Sequence, residues 1–119
     1  MDLFAGSGSF GLECLSRGCK IVYFFDNYIE AIKILEKNLS LFKNIKNYKI
    51  FKNFCFKFFN SNQKVDKKFD IIFLDPPYKE KRINQLIEKI IESKILNHDG
   101  IIIIHRHKKD KIEITNKIK

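Results

Sequence analysis

The chain has 119 residues and a mass of 14.2 kDa, which bounds it at one domain with one modest core. Hydrophobic residues at 45% and charged residues at 31% exclude a disordered tail, and no apolar run approaches the ~20 residues that cross a bilayer. Lys and Arg number 23 against 14 acids, a net charge of +9 that permits RNA binding. Only Arg17, Arg82 and Arg106 supply the fork-shaped guanidinium suited to phosphate, so the excess does not locate a site.

Met1 to Phe4 reads as a short apolar strand ending in a Gly-rich turn. A first helix is expected over 10–17, stopped by Gly18. The run from Ile21 to Phe25 is β-branched and aromatic, a buried strand. Tyr28, Ala31, Ile32, Leu35, Leu39 and Phe42 recur at helical spacing, with Asp26 or Asn27 placed to cap. Tyr48 to Phe51 is a third strand, Ile71 to Leu74 a fourth and Ile101 to Ile104 a fifth. Between the last two, Ile83, Leu86, Ile87, Ile90 and Ile91 line one face of a helix. Asn60 to Lys68 is polar and read as a loop. Phe51, Phe54, Phe56, Phe58 and Phe59 alternate with lysines, a pattern that fits base stacking or core packing; core packing is preferred in so Phe-rich a chain. Wholly apolar strands separated by amphipathic helices imply a single α/β domain with a doubly wound, mostly parallel sheet.

Gly6, Gly8 and Gly11 match G-x-G-x-x-G between a strand and a helix, and Asp26 follows at the end of the next strand. Such a turn admits a ligand to the backbone beside a helix N-terminus, and a carboxylate at that distance suits two ribose hydroxyls. A cofactor containing a nucleoside is therefore expected, NAD and S-adenosylmethionine being alike on this motif. Asp2 stands four residues before Gly6, where it suits the cationic tail of S-adenosylmethionine.

Asp75-Pro76-Pro77-Tyr78 follows the fourth strand, at the sheet edge that lines the ligand crevice of a doubly wound fold. The prolines fix φ and donate no N–H. A carboxylate and a carbonyl then remain as acceptors, suited to the exocyclic NH₂ of a base, with the Tyr78 ring available to stack on it. Hydride transfer has no use for this arrangement, so the dinucleotide alternative falls.

The segment 2–8, with Gly11-Leu12-Glu13 and 15–18, resembles the first motif of RsmD-type 16S rRNA guanine-N2 methyltransferases. Glu30-Ala31, Asn38-Leu39 and 69–78 are similar too. The resemblance implies a Rossmann-like methyltransferase fold, S-adenosyl-L-methionine as cofactor, and 16S rRNA or the small ribosomal subunit as partner. It assigns the methionine part of the cofactor to Asp2 and to the turn Phe4, Ala5, Gly6, Ser7 and Gly8, and the ribose to Asp26 beside Asn27. It places Asn53 or Phe54 near the adenine, where family members carry an acid or amide. Asp75, Pro76, Pro77 and Tyr78 are implied to hold the target base. The family carries an N-terminal arm before the position of Asp2, where this sequence has only Met1, and 112–114 is expected to be a remnant of its closing strands. The alternatives are an N6-adenine methyltransferase acting on nucleic acid and an inactive RNA-binding remnant.

The remaining residues suggest less. Cys14, Cys19 and Cys55 form no Cys-x-x-Cys and read as reduced thiols. His98, His105 and His107 have no acid or thiol at ligand spacing, so no metal is expected. The basic run 105–109 reads as a solvated strand exit with some prospect of a phosphate contact. A cytoplasmic monomer without a membrane anchor is expected.

Overall fold

The computed structural model describes residues 1–61 and 66–106. His107, Lys108, Lys109 and the suggested strand remnant at 112–114 lie outside the described residues, as does the middle of the 60–68 loop. The chain divides into two compact units, Met1–Cys55 and Phe56–Lys119.

In the first unit, α1 (Ser9–Ser16), β1 (Val22–Phe25), α2 (Ile29–Ser40) and β2 (Tyr48–Phe51) alternate, and β1 pairs parallel to β2 with Val22 opposite Tyr48. All four residues of β1 are buried, as a strand covered on both faces requires. The core joins Ala5, Leu15, Val22, Phe24, Leu35 and Leu39. Gly11 lets α1 approach β1 closely: a Cβ there would lie 2.3 Å from the Phe24 ring.

The expected first strand is reduced to a single parallel bridge between Asp2 and Phe24. Asp2 donates its N–H to the Tyr23 carbonyl at 2.8 Å and accepts from the Phe25 N–H at 2.9 Å. The chain then turns at once. The first helix begins at Ser9, because Gly8 at φ 85° ends the turn one residue earlier than the apolar spacing suggests. The second helix runs Ile29–Ser40 rather than from Tyr28 to Phe42. Its N-cap is Tyr28, without a side-chain capping bond, so neither Asp26 nor Asn27 caps it. Asp26 instead accepts from the N–H of Tyr28 itself with one oxygen and reaches the glycine turn with the other.

The Phe-rich segment contains α3 (Cys55–Asn60). Phe51 stacks on Phe25 with centroids 4.5 Å apart, Cys55 is fully buried, and Phe56, Phe58 and Phe59 are half-buried. Phe54, by contrast, is exposed. Core packing therefore describes most of this run but not Phe54.

In the second unit, β3 (Phe69–Leu74), α4 (Ile83–Glu92) and β4 (Leu96–Ile104) follow in order, and β3 pairs parallel to β4. Ile83, Leu86, Ile87 and Ile90 form the buried stripe of α4. β4 starts five residues earlier than its Ile run predicts. Phe69 faces Leu96, whereas Ile71 already faces Ile101, so the extra residues of β4 form an irregularity before the regular pairs from Ile71–Ile101 to Leu74–Ile104. Asp99 sits there at φ 65°, and Asn97 donates to the Asp70 carboxylate at 2.9 Å. Polar side chains and a following glycine hid this segment from an apolar-run criterion. The architecture is of the expected α/β class, with parallel pairing in each unit.

Candidate functional site

The glycine turn of the first unit is tied to the end of β1 by backbone and side chain together. Ala5 donates to the Phe25 carbonyl at 2.9 Å, continuing the contact that Asp2 begins. Gly6 donates its N–H to Asp26 Oδ2 at 2.8 Å, and Tyr28 donates its N–H to Asp26 Oδ1 at 2.9 Å. The Asp26 carboxylate thus joins the turn to the entry of α2. Asn38 of α2 donates to the Ser7 carbonyl at 2.9 Å, bracing the turn from the other side.

This geometry allows a test of whether a nucleoside cofactor fits. Gly6 has φ +55°, and a Cβ there would meet nothing within 4 Å, so the turn presents bare backbone to open space. Beyond it, α1 begins at Ser9 with no side-chain cap at its N-terminus. Each oxygen of the Asp26 carboxylate keeps a lone pair after its backbone bond, enough to accept from a ribose hydroxyl. The residues present therefore fit the methionine and ribose parts of S-adenosylmethionine.

Asp2, Phe4, Ala5, Gly6, Ser7, Gly8, Asp26 and Asn27 are brought together in this unit. Asp2 is deeply buried, only 2% exposed. Asn53 and Phe54 follow β2, the neighbour of β1, and both are exposed. Cys14 has its thiol pKa raised by burial, with Cys19 adding to the effect, which disfavours a nucleophilic thiolate.

The second unit holds the Asp-Pro-Pro-Tyr element directly after β3. Tyr78 is 80% exposed, presenting a ring to solvent. Glu80 donates its N–H to the Pro77 carbonyl at 2.9 Å, closing a turn. The Glu80 carboxylate takes the Arg82 guanidinium at 2.8 and 3.1 Å, and that hydrogen bonding holds its pKa below the usual carboxylate range despite the opposing effect of burial. Arg82 also lies 4.0 Å above the Phe56 ring centroid.

One residue of this unit was not singled out by sequence reasoning. His105, read as part of a solvated basic exit, has Nδ1 3.0 Å from Asp75 Oδ1. The signal was available only through topology: parallel pairing sets the residue after β4 beside the residue after β3. Among the described residues, no group of three or more His, Cys, Asp or Glu is placed to hold a metal ion. No helix of the described residues is long and apolar enough to cross a membrane.

Comparison with known proteins agrees with this architecture. The chain is 38% identical over 103 residues to a Bacillus subtilis protein named "Putative rRNA methyltransferase YlbH", covering 87% of this chain and 56% of that one. It is 34% identical over 116 residues to "Ribosomal RNA small subunit methyltransferase D" of Haemophilus influenzae, covering 97% of this chain and 59% of that one. It therefore spans less than two thirds of the length of either relative. A solved structure whose title names a "putative methylase" from Haemophilus influenzae superposes with a TM-score of 0.83 at 30% identity, covering 96% of this chain and 71% of that one. That likeness shows the Rossmann-like methyltransferase fold. A family model described as "Conserved hypothetical protein 95" matches residues 1–119, and with these relatives it makes the chain a member of that family, of the RsmD type that its first motif resembles.

Proposed function

We propose that the protein is an S-adenosylmethionine-dependent methyltransferase acting on the exocyclic N2 of a guanine in small-subunit (16S) rRNA. The observation that carries this reading is the Asp75-Pro76-Pro77-Tyr78 turn. It follows a parallel strand directly, offers acceptors without proline N–H groups, and exposes an aromatic ring. The names of the relatives support rRNA as the substrate class.

The cofactor, when bound, supplies an electrophilic methyl group on a sulfonium. The bare backbone of the Gly6 turn would receive its methionine part, and Asp26 would accept from its ribose hydroxyls. Asn53 or Phe54 is assigned to the rim around its adenine, with Asn27 beside the ribose acid. Asp75 and the Pro76 carbonyl accept the two hydrogens of the guanine amine. These bonds favour a pyramidal nitrogen whose lone pair is no longer fully shared with the ring. Tyr78 stacks on the base and fixes its plane. Placement and preset acceptors supply most of the acceleration, and Asp75 need not remove a proton before transfer.

Labelled methyl transfer to unmodified small ribosomal subunits tests the proposal, with DNA and adenine-containing RNA as parallel substrates. The expected product is N2-methylguanine in 16S rRNA. Asp75→Ala is expected to lower transfer by about 100-fold or more while leaving cofactor affinity largely intact. Label found on adenine N6, or full turnover by Asp75→Ala, would refute the assignment.

A further inference from the structure

The two residues that follow β4 hold both ends of the turn that follows β3. His105 donates its backbone N–H to the Leu74 carbonyl at 2.8 Å, one step beyond the Leu74–Ile104 pair. This bond fixes the His105 backbone beside Asp75, and the imidazole Nδ1 then reaches Asp75 Oδ1 at 3.0 Å. Arg106 reaches in the same way to the Glu80 carbonyl at 3.4 Å. The Asp75–Glu80 segment is thus held at its first and last residues, with the Glu80 N–H to Pro77 carbonyl bond closing its middle.

An ionised carboxylate only accepts hydrogen bonds, so the imidazole must donate to it from Nδ1. The pair is too exposed to add much to stability, with side-chain exposures of 76% for His105 and 49% for Asp75. Its effect is orientational. A lone carboxylate rotates broadly about its last torsion, whereas one oxygen bound to a ring fixed by the strand ladder sets the direction of the other.

We propose that His105 is a positioning residue for the methyl-accepting amine: its Nδ1–H holds Asp75 Oδ1 and so presents Oδ2 to the substrate NH₂. This inference rests on the reading of Asp75 given above. His105 itself touches no reacting atom, and it acts through the carboxylate.

Two measurements test it. Nitrogen-15 spectra of the imidazole, recorded where it is neutral, report which ring nitrogen carries the proton. The Nδ1–H form is expected to dominate in the wild type, and the Nε2–H form in Asp75→Ala. In methyl transfer to small ribosomal subunits, His105→Ala is expected to lower kcat about tenfold, with cofactor affinity and RNA KM changed less than about twofold. His105→Asn, whose amide N–H takes the place of Nδ1–H, is expected to recover most of the loss. His105→Phe, which keeps a ring but no donor, is expected to stay as slow as His105→Ala.

An Nε2–H tautomer in the wild type, an unchanged kcat in His105→Ala or a fast His105→Phe would each overturn the inference. A loss confined to RNA KM would overturn it too, by marking a phosphate contact instead. A wild-type protein that methylates no guanine overturns the reading of the site and this inference with it. Unaltered transfer by the His105 variants of an active protein overturns the inference alone.

Discussion

Asp26 uses both carboxylate oxygens on backbone N–H groups, those of Gly6 and Tyr28, and so shapes the turn that it is also proposed to serve. The two roles predict a graded response. Asp26→Ala removes both acceptors, and cofactor affinity measured by calorimetry is expected to fall about tenfold or more. Asp26→Asn keeps one acceptor oxygen, and its loss is expected to be smaller. Equal affinity in the wild type and Asp26→Ala would refute the ribose assignment. At this scale the sequence was informative where chemistry is tied to a local motif. Asp26 could be found from the glycine spacing, and Asp75 from its two prolines. His105 could not, because nothing within 104–106 marks it. Its significance comes from a neighbour 30 positions away across a strand pair.

Element identity was legible wherever apolar spacing carried it. The α4 stripe was read from Ile83, Leu86, Ile87, Ile90 and Ile91; the first four are buried and Ile91 is half-buried at its edge. Ile90→Ala in this stripe is expected to cost about 2–5 kcal/mol of stability in denaturant unfolding, while Ile91→Ala, on the half-buried flank, is expected to cost clearly less. Equal costs would mean that the stripe is misassigned. Element ends were less legible. Tyr28 stands at the N-cap without a side-chain capping bond, and Asp26 divides its carboxylate between the Tyr28 N–H beside it and the Gly6 N–H of the glycine turn, so the local acid serves a longer-range bond as well as the helix entry. The start of β4 was hidden for a different reason. Asn97, His98 and Asp99 lack the apolar pattern of a strand, and their place in it follows from pairing with β3.

For the molecule as a whole, the net charge of +9 sets an expectation for RNA binding that no individual residue does. If rRNA is the substrate, binding must release counterions as lysines meet phosphates. Affinity for 16S rRNA is expected to fall about tenfold or more between 50 and 200 mM salt, linearly in a log–log plot. A flat salt response would separate this basic excess from substrate binding and ascribe it to composition alone. The α/β class and parallel pairing followed from alternating apolar strands and amphipathic helices. The irregular start of β4 did not, because it depends on how two strands of unequal length are reconciled.

That irregularity also bears on which changes of chain length the site can survive. An added or deleted residue at 97–100 falls where spacing is already uneven, and the slack can absorb it. The same edit within Ile101–Ile104 would slide the ladder, invert every following side chain, and bring a different residue opposite Asp75. The polar stretch thus works as a spacer ahead of a ruler. Length drift among related chains should collect in the spacer and be absent from the four isoleucines that meter the distance to His105.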